Sequence, residues 1–198
     1  MSDKLSKTKE RKTLPVWLPW LIALILLAVA LRVGIWLTYQ PVETSDSEGY
    51  KLMAHLLYTR SWQSNLGARP PAYPALMTTI AMSKYGLNER IIWGFQAGLG
   101  TLGAVLWFAL AWRATHNAPL AFAAGLLNAF NLSAAYFESM IMSEALSAFL
   151  ILLMLIAAGI LGKKQSIGPA RSILLGTLIG IAALTRPLLP YFAGVCLL

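Results

Sequence analysis

Charge is scarce in this sequence. Aspartate, glutamate, lysine and arginine make up 12% of its 198 residues, about half the share found in an ordinary soluble domain. With 58% of residues hydrophobic and a mean hydropathy of +0.64, too few polar side chains remain to cover the surface of a soluble protein. Cysteine is nearly absent. The single Cys196 lies in an apolar stretch, which excludes a disulfide framework and a cysteine metal site. Basic residues outnumber acidic ones, giving a net charge of +8. They are not gathered on one face with aromatics between them, so no nucleic-acid partner is expected.

What the sequence does have is long apolar runs. Residues 14–38 contain one charge, Arg32, and the runs 91–112, 118–132, 140–162 and 172–185 contain one more between them, Glu144. Crossing a bilayer takes about 20 apolar residues, with a lower limit near 17. Three runs meet that length and the third and fifth fall short, so five membrane helices are expected, two of them marginal. The first run exceeds the apolar core of a signal peptide and no small-x-small site follows it, which makes it an uncleaved anchor. Residues 188–198 read as the opening of a sixth helix, and the chain is expected to be truncated there.

The distribution of charge orients these helices. Lys4, Lys7, Lys9, Arg11 and Lys12 make residues 1–13 a basic tail, cytoplasmic by the positive-inside rule, so the chain emerges on the outer face at Gln40. Arg113 and His116, and then Lys163, Lys164 and Arg171, fall in loops assigned to the cytoplasm. The outer loop 39–90 fits less well, since it carries Lys51, Arg60, Arg69, Lys84 and Arg90, but the rule weakens for a loop of about 50 residues. Outside the tail the acids gather toward the outer side: Glu43, Asp46, Glu48, Glu89, Glu138 and Glu144.

Within that loop, Ser45 to Glu48 reads as a capping box with Ser45 as N-cap. Beyond it, Glu48, Lys51, His55 and Thr59 form a narrow polar stripe on an apolar helix, as expected of a segment lying in the membrane interface. A polar break over 61–68 precedes Pro70-Pro71-Ala72-Tyr73-Pro74, which opens a second apolar segment reaching about Tyr85. The expected fold is an all-α integral membrane protein: a multi-spanning helix bundle with interfacial helices in its first outer loop. The pairs Gly94/Gly98 and Gly176/Gly180 read as helix-packing positions. Asn131-Leu132-Ser133 matches a glycosylation acceptor but lies too close to the bilayer to serve as one.

Few residues are candidates for chemistry. Asp46 stands at the start of an interfacial helix, where a carboxylate meets lipid-linked substrates. The same position is also favourable for any acid because of the helix dipole. Glu144 is placed inside the fourth membrane run, about 9 Å deeper than Glu138 at 1.5 Å per residue. An intramembrane acid of that kind generally faces a cavity and serves a function; the alternative is a hydrogen-bonded structural glutamate. Glu138 reads as solvated at the interface. Arg69, beside the stiff Pro70-Pro71, suits a phosphate through its bidentate guanidinium. Arg186 and Arg32 lie on the same side, where snorkelling to headgroups is the plainer explanation for a helix-end arginine.

Four segments, with Arg32 ahead of them, carry a resemblance. They are Asp46-Ser47-Glu48-Gly49-Tyr50 with Ala54 after it, Arg69-Pro70-Pro71-Ala72-Tyr73-Pro74, Met142-Ser143-Glu144, and Leu184-Thr185-Arg186-Pro187. In order and spacing the chain resembles the N-terminal half of GT-C membrane glycosyltransferases. The nearest in kind are bacterial relatives of dolichyl-phosphate-mannose protein mannosyltransferases and of the aminoarabinose transferase of lipid A. The resemblance implies transfer of a sugar from a polyprenyl-phosphate donor to a glycan, lipid or protein acceptor on the outer face of a bacterial inner membrane. It implies Asp46 as general base, Arg69 as ligand of the donor phosphate, and Glu144 as a second acid positioning acceptor or donor sugar. Arg186 is implied as either a phosphate contact or a structural residue. No metal ligand is assigned and the question of a divalent metal stays open. The sequence departs from the family in having Ser47 where a second acid often follows the aspartate, and in its few helices, so the chain alone is expected to be inactive. Two other readings stand beside the enzyme: a lipid or solute transporter or flippase, and a non-catalytic membrane fragment. The lack of internal repeats counts against the transporter.

Overall fold

The computed structural model describes residues 15–39, 43–61, 69–158, 168–189 and 191. The basic tail, Gln40, most of the polar break, Lys163, Lys164, Cys196 and most of the expected sixth helix lie outside the described residues. Among those described there are eight helices and one two-stranded hairpin.

The first helix, α1 (Leu18–Thr38), is apolar around nearly its whole circumference. It buries only Leu24, Ala28 and Arg32, which repeat every fourth residue and so form one stripe. Trp20, Ile22, Leu26, Val29, Val33 and Leu37 are exposed on its other faces. An apolar surface of that extent has no counterpart in a water-soluble helix, which confines its apolar residues to one face. α4 (Glu89–Thr115) is the central element and packs against α1, α3, α5, α6 and α7. α1 and α4 are long and apolar enough to cross a membrane. α5 (Ala118–Ala129) and α6 (Leu132–Glu138) add a third such crossing if the pair, bent by 51°, is taken as one span.

Three of the expected helices change on folding. The run 118–132 is broken at Phe130, because Asn131 turns its side chain onto the backbone N–H of Ala134 and starts α6. Asn131 is thus a helix cap. The run 140–162 is not helical at its start: α7 is Glu144–Ala158, so Glu144 opens its helix and does not lie a turn and a half inside it. The apolar segment after Pro74 ends as α3 (Ala72–Ala81) and gives way to the hairpin β1 (Met82–Ser83) and β2 (Gly86–Leu87). Gly86 there takes φ +102°, a conformation open chiefly to glycine. Over the described residues α7 and α8 (Pro169–Thr185) run for 15 and 17 residues and are shorter apolar helices than α1 and α4.

Side-chain packing divides into three apolar clusters. Leu24 and Ala28 meet Ala104, Phe108, Ala121 and Ala129 between α1, α4 and α5. Gly125 makes that approach close, since a Cβ there would overlap Leu24 and stand 3.0 Å from the Ala104 carbonyl. α7 and α8 join through Leu150, Met154, Leu175, Leu178 and Ala182. The third cluster holds α2 (Ser45–Tyr58) and α3 on the start of α4, through Tyr50, Ala54, Tyr73, Met77 and Ile92. Among the described residues, the glycine pairs expected to bring helices together do not do so. A Cβ at Gly94, Gly98, Gly176 or Gly180 would meet nothing within 4 Å, whereas Gly100, Gly103 and Gly125 lie against neighbours.

Candidate functional site

α2 begins one residue earlier in its capping logic than its sequence indicates. Thr44 is the N-cap: its hydroxyl accepts from the Ser47 N–H at 3.2 Å, and the Ser47 hydroxyl accepts from the Thr44 N–H. Ser47 is therefore buried and Glu48 is exposed, not turned back onto the cap. This start places Asp46, Gly49 and Tyr50 on one face, at the helical spacing of three and four residues. The stripe of Glu48, His55 and Thr59 lies on the exposed side, with Lys51 half-buried beside it.

Arg69 lies across that Asp46 face. It pairs with Asp46 through Nη2, and its guanidinium sits 5.4 Å from the centre of the Tyr50 ring. A Cβ on residue 49 would come 3.1 Å from Arg69 Nε. A glycine inside a helix costs about 1 kcal/mol relative to alanine, and here it leaves room for the guanidinium against the helix backbone. The side chains of Arg69 and Asp46 remain 30% and 45% exposed, so the pair is reachable from outside.

Two tyrosines connect this face to the interior. The rings of Tyr50 and Tyr73 meet edge to face with centroids 5.1 Å apart. The Tyr50 hydroxyl is 3.1 Å from the buried Ser143 hydroxyl, the residue before Glu144. The Tyr73 hydroxyl donates to Gln96 Oε1 at 2.6 Å. Burial, with the neighbouring Tyr50 and Glu144, pushes the Tyr73 phenol well above its ordinary pKa, so it stays protonated as that donor. Gln96 Nε2 in turn reaches the carbonyls of Phe137, Glu138 and Met140 at 3.2, 3.2 and 2.7 Å. One fully buried amide thus fixes the non-helical link between α6 and α7.

At the end of that link Glu144 Oε1 accepts from Arg186 Nη2 at 2.5 Å. Arg186 leaves α8 in extended form just after Thr185, and its side chain is 46% exposed against 16% for Glu144. Glu144 Oε2 is buried and has no partner among the described residues. Glu144 also lines a cavity of about 360 Å³ between α4, α6 and α7, which Trp107, Asn128 and Glu138 border as well.

The remaining sequence candidate, Arg32, does not snorkel, and Glu138 is not solvated. The two form an ion pair at 2.8 Å, with side chains 6% and 8% exposed. Arg32 and Glu138 are packed too deeply to meet a substrate without rearrangement. On the opposite side Lys51 bridges Glu43, at 2.8 Å, and Glu89, which ties α2 to the start of α4. Burial lowers the Lys51 pKa, and the two carboxylates together raise it further, leaving it above the ordinary lysine value.

Each of the three arginines singled out in the sequence therefore takes one carboxylate: Arg32 with Glu138, Arg69 with Asp46, and Arg186 with Glu144. Two of these pairs are partly open and joined by the Tyr50–Ser143 contact; the third is closed. Sequence reasoning gave no role to Tyr50, Tyr73, Ser143 or Gln96. Gln96 was the signal available, as the only amide in an otherwise apolar run. Among the described residues no three of histidine, cysteine, aspartate and glutamate gather closely enough to hold a metal ion. No protein-family model, curated protein or solved structure matches the chain.

Proposed function

We propose that this chain carries the active face of a multi-pass membrane glycosyltransferase, which moves a sugar from a polyprenyl-phosphate donor to an acceptor on the outer side of a bacterial inner membrane. Its N-terminus is cytoplasmic in this reading. The observation that supports it is the meeting of separated segments. Residues 46–50 and 69–73 meet at the Asp46–Arg69 pair, residues 143–144 and 186 at the Glu144–Arg186 pair, and Tyr50 with Ser143 joins the two. These are the segments on which the resemblance to GT-C glycosyltransferases rests.

In the proposed reaction the acceptor's hydroxyl or amine attacks the anomeric carbon and gives its proton to the Asp46 carboxylate. The bond between that carbon and the phosphate oxygen breaks, and its electron pair leaves with the polyprenyl phosphate. Arg69 meets the charge that develops on the departing phosphate, which is where electrostatic stabilisation contributes most. A guanidinium has five N–H donors, so Arg69 keeps contact with Asp46 while its other donors take phosphate oxygens. Glu144, held by Arg186, meets sugar hydroxyls through its exposed part, and Arg186 either orients Glu144 or adds a second phosphate contact.

Donor binding tests this. The full chain in detergent, titrated with a polyprenyl-phosphate sugar, is expected to bind it, and Arg69→Ala to weaken binding by about tenfold or more, the worth of a lost charge-assisted hydrogen bond. Equal binding by Arg69→Ala and the unaltered chain would remove the phosphate role.

A further inference from the structure

Two helices long enough to cross a membrane do not close against each other along their whole length. Between α1 and α4 runs an open groove of about 270 Å³, walled on one side by Val29, Val33 and Trp36 and floored on the other by Gly94 and Gly98. Side chains at 94 and 98 would meet nothing within 4 Å, so these glycines leave space that no other part of the described chain fills. At the deep end stands Arg32, 7% exposed, with its guanidinium bonded to Ala28 O and Glu138.

The groove's other end is polar. Trp36, Trp93 and Arg90 belong both to it and to a second cavity, of about 830 Å³, formed with the 82–87 hairpin and bordered by Ser83, Asn88 and Glu89. Trp36 and Trp93 meet edge to face at 6.0 Å where the two cavities join. A tryptophan pair between an apolar slot and a polar chamber is the arrangement found at headgroup level. Arg90 is exposed at the junction of the two cavities and, like Arg60, Lys84 and Arg113, has no carboxylate partner among the described residues.

We infer that this groove is a binding site for an anionic phospholipid of the outer leaflet, one acyl chain lying over Gly94 and Gly98 and the phosphate held by Arg90. Charge complementarity favours it: a phosphate supplies the partner that Arg90 lacks, in the geometry a guanidinium suits. Length favours it over a long polyprenyl chain. From Arg90 to Thr101 the helix rises about 16 Å at 1.5 Å per residue, and one leaflet is about half of a 30 Å hydrocarbon core. The site is distinct from the Asp46–Arg69 pair and does not depend on sugar-transfer chemistry, while its place in the outer leaflet rests on the cytoplasmic N-terminus proposed above.

Photolabelling tests it. The full chain is reconstituted in phosphatidylcholine vesicles containing phosphatidylglycerol with a diazirine on one acyl chain, and the adducts are mapped by mass spectrometry. Label is expected on α1 and α4 residues facing the groove. Gly98→Phe, which fills the slot, and Arg90→Gln, which removes the cation, are each expected to lower it about tenfold, the worth of one charge-assisted contact in the second case. Gly94→Leu provides the same reading should Gly98→Phe fail to insert. The proposal is overturned if a slot-filling variant labels like the unaltered chain, or if a diazirine phosphatidylcholine labels as strongly as the anionic probe. Displacement by equimolar polyprenyl phosphate but not by unlabelled phosphatidylglycerol would also overturn it, and would assign the groove to a carrier lipid.

Discussion

Arg32 and Glu138 stand 106 residues apart in the chain and form the most buried ion pair among the described residues, at 2.8 Å between α1 and the end of α6. The pair joins the first helix to the link that presents Glu144, so it is structural support for the site beyond it. Breaking a buried pair from one side leaves an uncompensated charge and costs about 3–5 kcal/mol. Arg32→Met alone is expected to lower the unfolding midpoint in detergent sharply. The double variant Arg32→Met/Glu138→Met, with both charges gone, is expected to recover most of the loss.

Gly100 makes that pair sterically feasible. A Cβ at this position would overlap both Glu138 Oε1 and Arg32 Nη2. Overpacking of this kind costs about 1–3 kcal/mol, so Gly100→Ala is expected to destabilise the protein. The cost should shrink in the Arg32→Met/Glu138→Met background, where shorter and uncharged side chains give way. A double-mutant comparison of unfolding midpoints measures the coupling.

Gln96 holds the α6–α7 link through three carbonyls and accepts from Tyr73. Gln96→Leu keeps the bulk and removes every one of these bonds. Leaving a buried group unsatisfied costs about 1–3 kcal/mol, and the loosening is expected to concentrate at residues 139–143. Hydrogen exchange there should speed up while exchange in the α1–α5 cluster stays slow.

Lys51 gives the protein an alkaline limb. Its pKa lies above the ordinary 10.5 because Glu43 and Glu89 outweigh the opposing effect of burial. A folded-state pKa above the unfolded one gives stability that is fully present below the unfolded value and is lost as pH rises through the folded one. The unaltered protein is thus expected to lose stability above about pH 10.5, and Lys51→Met to lose that part of the slope. Identical alkaline unfolding curves for the two would contradict the bridge.

The apolar helices were legible because hydropathy is a property of composition, and α1 and α4 follow directly from it. Their ends were less so. Glu144 sits in an unbroken apolar run, and nothing local reveals that Gln96, 48 positions earlier, captures the Met140 carbonyl and delays the helix to residue 144. The cap of α2 moved from Ser45 to Thr44 because Thr-Ser-Asp-Ser offers two overlapping capping frames. Arg32 and Glu138 looked solvated one at a time, and only the fold brings them together. The glycines misled for a related reason: spacing marks where helices are able to approach, whereas their neighbours decide whether they do. Asp46 with Arg69 and Glu144 with Arg186 were each singled out as residues, but not as pairs.

Asp46 is the proposed base of a sugar transfer on the outer face. The most direct test of that role is the transfer of sugar from a polyprenyl-phosphate donor in native membranes, comparing the full-length protein with its Asp46→Asn variant at equal membrane content. Asp46→Asn retains the size of the side chain and its place beside Arg69 but removes the basic oxygen, and transfer is expected to fall by about 100-fold or more, the usual contribution of a general base. Transfer by Asp46→Asn at the unaltered rate would contradict the account.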